Sequence, residues 1–118
     1  MEHSLLAGRC ILLVEDEPLV RLDTGKRLEA AGASVLATSR LDRALRFADH
    51  PDLSAGVLDF DLGTTDSTLV CCRLTDRGIP FVLHSGSIHS AFRQWPGAPV
   101  VLKLETHGLI AAVAALFR

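Results

Sequence analysis

The chain has 118 residues, 48% of them hydrophobic and 22% charged, with a formal net charge of −2. That size holds one packed core and leaves no room for a second catalytic or DNA-binding unit, so a single domain over 1–118 is expected. Near-neutral charge and 5% aromatic residues give no electrostatic or stacking reason to expect nucleic acid or an anionic membrane as a partner.

In chain order, the apolar run Cys10-Ile11-Leu12-Leu13-Val14 predicts a first strand. Glu17 and Pro18 then open a helix over 18–31 that places Val20, Leu28 and Ala31 on one face and stops at Gly32. A short strand over 33–37 precedes a helix over 42–49, with Leu41, Ala44, Leu45 and Ala48 at helical spacing and Pro51 as its end. The third strand covers 55–60, followed by a loop through Gly63, Thr64 and Thr65. Asp66 or Ser67 caps a helix to 77 whose Leu69, Val70 and Leu74 point inward, and Gly78 stops it. The fourth strand spans 80–85 and the fifth 99–103. Between them, 87–94 has room for only a turn or two before Trp95-Pro96-Gly97-Ala98-Pro99, so the fourth crossover helix is short, displaced or missing. Thr106 caps a last helix striped by Leu109, Ile110, Val113 and Leu116. Right-handed crossovers between these strands give an α/β fold, a doubly wound five-stranded parallel sheet of order 2-1-3-4-5 in a flavodoxin-like three-layer sandwich.

Four of the apolar runs finish on polar residues: Glu15-Asp16, Asp59, Ser85 and Lys103. The carboxyl ends of parallel strands share one edge, where ligands bind, so these residues converge there. The set offers carboxylates to a hard divalent cation, one of them a possible nucleophile, and a hydroxyl and an ammonium for phosphoryl oxygens.

These residues resemble the receiver domain of two-component response regulators, over nearly the whole chain. Val14-Glu15-Asp16-Glu17-Pro18 is similar to the family's acidic-pair motif, Val57-Leu58-Asp59 to its phosphoacceptor strand, Ser85-Gly86 to its Thr/Ser strand end, and Lys103 to its lysine. The run from Pro80 and Phe81 to Ser85 and Gly86 also resembles a subfamily whose fourth strand reads Pro-Phe-x-Phe-Ala-Thr-Gly and whose fourth helix is often altered. The resemblance implies that Asp59 takes a phosphoryl group from a phosphohistidine on a histidine kinase or histidine phosphotransferase. It further implies Mg2+ held directly by Asp16 and Asp59, through water by Glu15 and by the main-chain carbonyl of Asp61, with Ser85 and Lys103 on the phosphoryl oxygens. Such a chain is a signalling phosphoacceptor rather than an enzyme. Its output is altered binding of a downstream protein, through movement of 86–99 and the nearby face of the last helix, and homodimers form in the family through the fifth strand and last helix.

Three positions depart from the family. Leu104 replaces the proline after the lysine, and a cis bond before a non-proline residue costs about 2.5–4 kcal/mol, so a trans bond and a less rigid lysine are expected. Val100 stands in place of the switch aromatic, and Gly63 where the loop commonly has proline, which predicts a looser loop.

Ordinary structural readings compete at each position. The acidic pair before Pro18 can cap a helix, Ser85 can satisfy backbone and Lys103 can be solvated. Alternation turns His84 away from the face of Ser85, while His3, His50, His89 and His107 have no ligand spacing and read as surface residues. Trp95 is either a contact residue or a lid on the core. Cys10, Cys71 and Cys72 read as buried reduced thiols of a cytoplasmic protein, and neither a signal peptide nor a membrane span is evident. Asp59-Phe60-Asp61 also resembles the Asp-x-Asp motif of haloacid-dehalogenase-type phosphatases, but those enzymes carry further acids downstream of the lysine, where this chain has only Glu105. A receiver fold that binds partners without being phosphorylated is the remaining alternative.

Overall fold

Leucine- and valine-rich runs pair as five parallel strands, and the amphipathic segments between them cover both faces of the sheet. The computed structural model describes residues 4–86 and 95–118. Along the chain come β1 (Cys10–Val14), α1 (Pro18–Ala30), β2 (Ser34–Thr38), α2 (Leu41–Ala48), β3 (Ala55–Leu58), α3 (Thr68–Asp76), β4 (Phe81–Ser85) and β5 (Val100–Leu102). A 3-10 segment, Lys103–Gly108, then leads into α4 (Leu109–Ala115). The sheet order is β2-β1-β3-β4-β5, as the sequence predicts. The expected turn of helix over 87–94 lies outside the described residues, as does most of the segment expected to move.

Strand alternation divides the core in two. Leu12 and Val14 of β1, Leu58 of β3 and Leu83 of β4 pack with Val70 and Leu74 of α3. Ile11, Leu13, Val57 and Val82 point the other way, onto Leu28 of α1 and Leu109 and Val113 of α4. Gly56 makes the first layer possible, because a Cβ there would stand 3.0 Å from Leu74 Cδ1 and 3.3 Å from Phe81 Cβ. Trp95 lies over Phe81 with ring centroids 6.2 Å apart, which makes it a lid on this layer.

Several local expectations need correction. Leu69 is 57% exposed, because Val70, Cys71 and Leu74 already fill the buried face of α3. Cys72 is likewise exposed, although Cys10 and Cys71 are buried and all three are free thiols. Of the two caps expected for α3, Asp66 is the one in place: its Oδ1 accepts the Thr68 N–H at 3.0 Å, and Ser67 makes no cap bond. Thr106 does not cap the last helix, which starts after Gly108, since its hydroxyl donates to the Lys103 carbonyl within the 3-10 segment. The loop after β3 is not loose. Leu62 N–H donates to Thr65 O at 2.9 Å and Ser67 N–H to Phe60 O at 2.8 Å, with Gly63 at φ 85° taking the turn that a left-handed residue requires. The bond between Lys103 and Leu104 is trans, as predicted.

Candidate functional site

Register brings the polar strand ends together. Val14 pairs with Leu58, so Glu15 and Asp16 stand beside Asp59 where the strand order reverses. Ser85 pairs with Leu102, so Lys103 follows directly beside the end of β4. One carboxylate oxygen each from Glu15, Asp16 and Asp59 lies within 4.8 Å of the others. Lys103 Nζ lies 2.9 Å from Asp59 Oδ2, 3.0 Å from Glu15 Oε1 and 3.2 Å from Oε2, despite Leu104. Ser85 is buried at the β4 end of the same edge. Asp61 stays outside the carboxylate cluster, its exposed side chain accepting the Gly63 N–H at 3.0 Å. That leaves its main-chain oxygen as the contribution the resemblance implies.

Burial differs sharply within the cluster. Glu15 is 1% exposed and Asp59 7%, while Asp16 faces solvent. The Glu15 carboxylate also accepts the Glu17 N–H at 3.2 Å, and its main-chain oxygen accepts from Arg21 Nη1 at 2.9 Å, but α1 has no side-chain cap, so the acidic pair does not serve as one. Burial pushes the Asp59 carboxyl up to about 7, and the neighbouring Glu15 acts in the same direction against the pull of Lys103. For Lys103 burial acts downward, but the hydrogen bonds to Asp59 and Glu15 outweigh it and raise its pKa. Two buried carboxylates thus share one ammonium, an arrangement with a surplus of negative charge.

Three residues that bear on the site gave no sequence signal of doing so. Ser67 is fully buried and donates from Oγ to the Asp59 carbonyl at 2.7 Å, fixing the Asp59 backbone from the start of α3. His84 is buried as expected of a packed histidine, but its Nε2 meets Thr106 Oγ1 at 3.0 Å, and Thr106 in turn donates to Lys103 O at 2.7 Å. Burial first, then the Lys103 charge, hold the His84 pKa below its ordinary value, so the ring is neutral at physiological pH. The remaining histidines show no role at this edge among the described residues: His107 is exposed and His50 accepts the Asp52 N–H, while His3 and His89 lie outside them. Val100 packs against the same core layer as Trp95. Glu105 is exposed and not part of the carboxylate cluster, unlike the downstream acid that the phosphatase pattern needs.

Neither a protein-family model nor a curated protein matches the chain. Solved structures do. A response regulator receiver protein from Sinorhizobium medicae is 26% identical, with 92% of this chain and 94% of that one covered at a TM-score of 0.80. SdrG from Sphingomonas melonis is 32% identical, covering 93% and 97% at a TM-score of 0.79. The response regulator TrrA of Thermotoga maritima, solved in complex with Mg2+ and a beryllium fluoride, is 21% identical, covering 92% and 98% at 0.76. Sheet order, register and an acidic edge with its lysine agree with these likenesses, and the chain belongs to the response regulator receiver domains.

Proposed function

We propose that this receiver domain accepts a phosphoryl group on Asp59 from a phosphohistidine of a histidine kinase or histidine phosphotransferase, and signals by changing which downstream protein it binds. The observation that carries this is the contact of 2.9 Å between Asp59 Oδ2 and Lys103 Nζ inside a cluster of carboxylates. An Asp59 oxygen attacks phosphorus, the bond from phosphorus to the imidazole nitrogen breaks, and its electron pair stays on that nitrogen. Lys103 then follows the charge onto the phosphoryl oxygens, and Ser85 at the neighbouring strand end is placed to donate to them. This is phosphoacceptance by a signalling protein in the cytoplasm, not turnover of a substrate by an enzyme. Among the described residues no helix is long and apolar enough to cross a membrane.

Glu15, Asp16 and Asp59 suit Mg2+, because their oxygens are hard donors and their uncompensated charge favours a small dication. When bound there, the ion neutralises charge that builds up on the phosphoryl oxygens. Asp16 and Asp59 would hold the ion directly and Glu15 through water, with the main-chain carbonyl of Asp61 completing the protein's share. Asp16→Asn is therefore expected to weaken Mg2+ binding by about tenfold or more, as read by calorimetric titration. Equal affinity in the two proteins would remove Asp16 from the site.

The decisive experiment is intact mass after exposure to acetyl phosphate with Mg2+, followed by transfer from a phosphohistidine protein. One phosphoryl adduct in the wild type and none in Asp59→Asn is the expected result. A second reading, partner binding without phosphorylation, draws on the ion pair that already occupies Asp59 and on Val100 in place of a switch aromatic. An unmodified wild type with bound Mg2+ would favour it.

A further inference from the structure

We propose that His84 and Thr106 form a hydrogen-bonded strut that positions Lys103 at Asp59. Lys103 opens a 3-10 segment interrupted at Glu105, whose φ of −120° and ψ of 35° are not helical. Leu104, the next residue, is 96% exposed and anchors nothing. The segment therefore depends on other contacts to hold its first residue in place. Thr106 Oγ1 donates its single proton to the Lys103 carbonyl, an acceptor only, so the hydroxyl oxygen is left to accept from His84 Nε2. That fixes His84 as the Nε2–H tautomer. The ring itself is 1% exposed on β4, where His84 pairs with Val101 of β5, and its Nδ1 has no partner among the described residues. A rigid buried ring thus reaches across to the turn and, through one hydroxyl, holds the backbone from which the lysine extends.

His84 and Thr106 touch neither Asp59 nor a bound phosphoryl group; they act through Lys103. Lys26 and Lys103 are the chain's two lysines, and Lys26 is exposed on α1, which provides an internal reference. Amine acetylation of the folded, metal-free protein, read by peptide mass spectrometry, should label Lys103 slowly relative to Lys26. In Thr106→Val and His84→Leu the ratio of Lys103 to Lys26 labelling should rise several-fold. Thr106→Ser keeps the hydroxyl and His84→Gln keeps a donor at the Nε2 position, so both should label like the wild type. Val113→Ala loosens the core under α4 without touching the strut and serves as the control.

The kinetic arm rests on the phosphoacceptor reading. Thr106→Val should slow phosphoryl incorporation from acetyl phosphate by about tenfold or more, since a small displacement of a positioned group has effects of that order. In a Lys103→Ala background the same substitution should cause no further slowing, because the strut acts only through the lysine. An unchanged labelling ratio in Thr106→Val, or an equal rise in Val113→Ala, would overturn the strut. So would a full additional loss of rate in the Lys103→Ala background. A wild type that takes no phosphoryl group would instead sink the functional reading, and the labelling ratio would still decide the strut.

Discussion

Lys103→Met is expected to destabilise the metal-free protein by about 2–4 kcal/mol near pH 8, because removing one partner of a buried ion pair strands the other. Here it strands two: Glu15 at 1% exposure and Asp59 at 7% lose the ammonium they share. The lysine's own side chain is 23% exposed, which keeps the effect below the largest values measured for such losses. The pKa of Lys103 is raised in the folded state, so its contribution is complete at pH 8 and fades only in strongly alkaline solution. On the acid side it fades for a different reason, since the Asp59 carboxyl takes up its proton as pH falls through about 7 and then no longer needs a cation. At about pH 4, where Asp59 is protonated in the folded protein, the variant and wild type should differ less in urea unfolding than at pH 8. Saturating Mg2+ should also narrow the gap at pH 8, by supplying the missing charge. An equal loss at both pH values would mean that the lysine stabilises through its stem and not through its charge.

The reason this site could be read from sequence is that each of its parts ends a strand. A polar residue after an apolar run marks a strand's end, and a parallel sheet gathers such ends, so Glu15, Asp16, Asp59, Ser85 and Lys103 were legible without coordinates. Helix phase was less secure. Leu69 and Val70 are adjacent and both apolar, so only the packing of α3 on the sheet decides that Val70 is buried and Leu69 is not. Cys71 and Cys72 pose the same choice.

What sequence hid were hydrogen bonds between distant residues. Ser67 and Thr106 both precede helices and carry cap-forming side chains, and local rules assign both to capping. In the fold each hydroxyl finds a stronger claim. Ser67 serves the Asp59 carbonyl eight residues back, and Thr106 joins Lys103 to a histidine twenty-two residues away. The two cases share one cause: a site at a sheet edge must hold its loops still, and it recruits nearby hydroxyls for that task.

Asp59→Asn is expected to block phosphoryl incorporation and yet to raise the melting temperature of the metal-free protein at about pH 8 by several degrees. The stabilisation follows from the raised pKa. In the unfolded chain this carboxyl ionises with an ordinary value, and in the folded protein burial and Glu15 hold its proton up to about 7. The folded state therefore binds the proton more tightly across that window, and stability falls as pH rises from about 4 to about 7, then levels off. At about 1.4 kcal/mol per unit, the penalty has a ceiling of about 4 kcal/mol. Asparagine has no charge to desolvate and escapes it, but it also gives Lys103 a weaker partner, which leaves a net gain of about 1–2 kcal/mol. At about pH 4 the gain should vanish, because the wild-type carboxyl is then protonated too. If Asp59 helps hold Mg2+ as proposed, the ion should reverse the order at neutral pH, stabilising the wild type more than the variant. Thermal unfolding of both proteins at the two pH values, with and without Mg2+, checks each step. A metal-free Asp59→Asn protein that melts below the wild type at pH 8 would show that the ion pair with Lys103 outweighs the burial of the acceptor, and the site would then be built for stability rather than held under charge for a ligand.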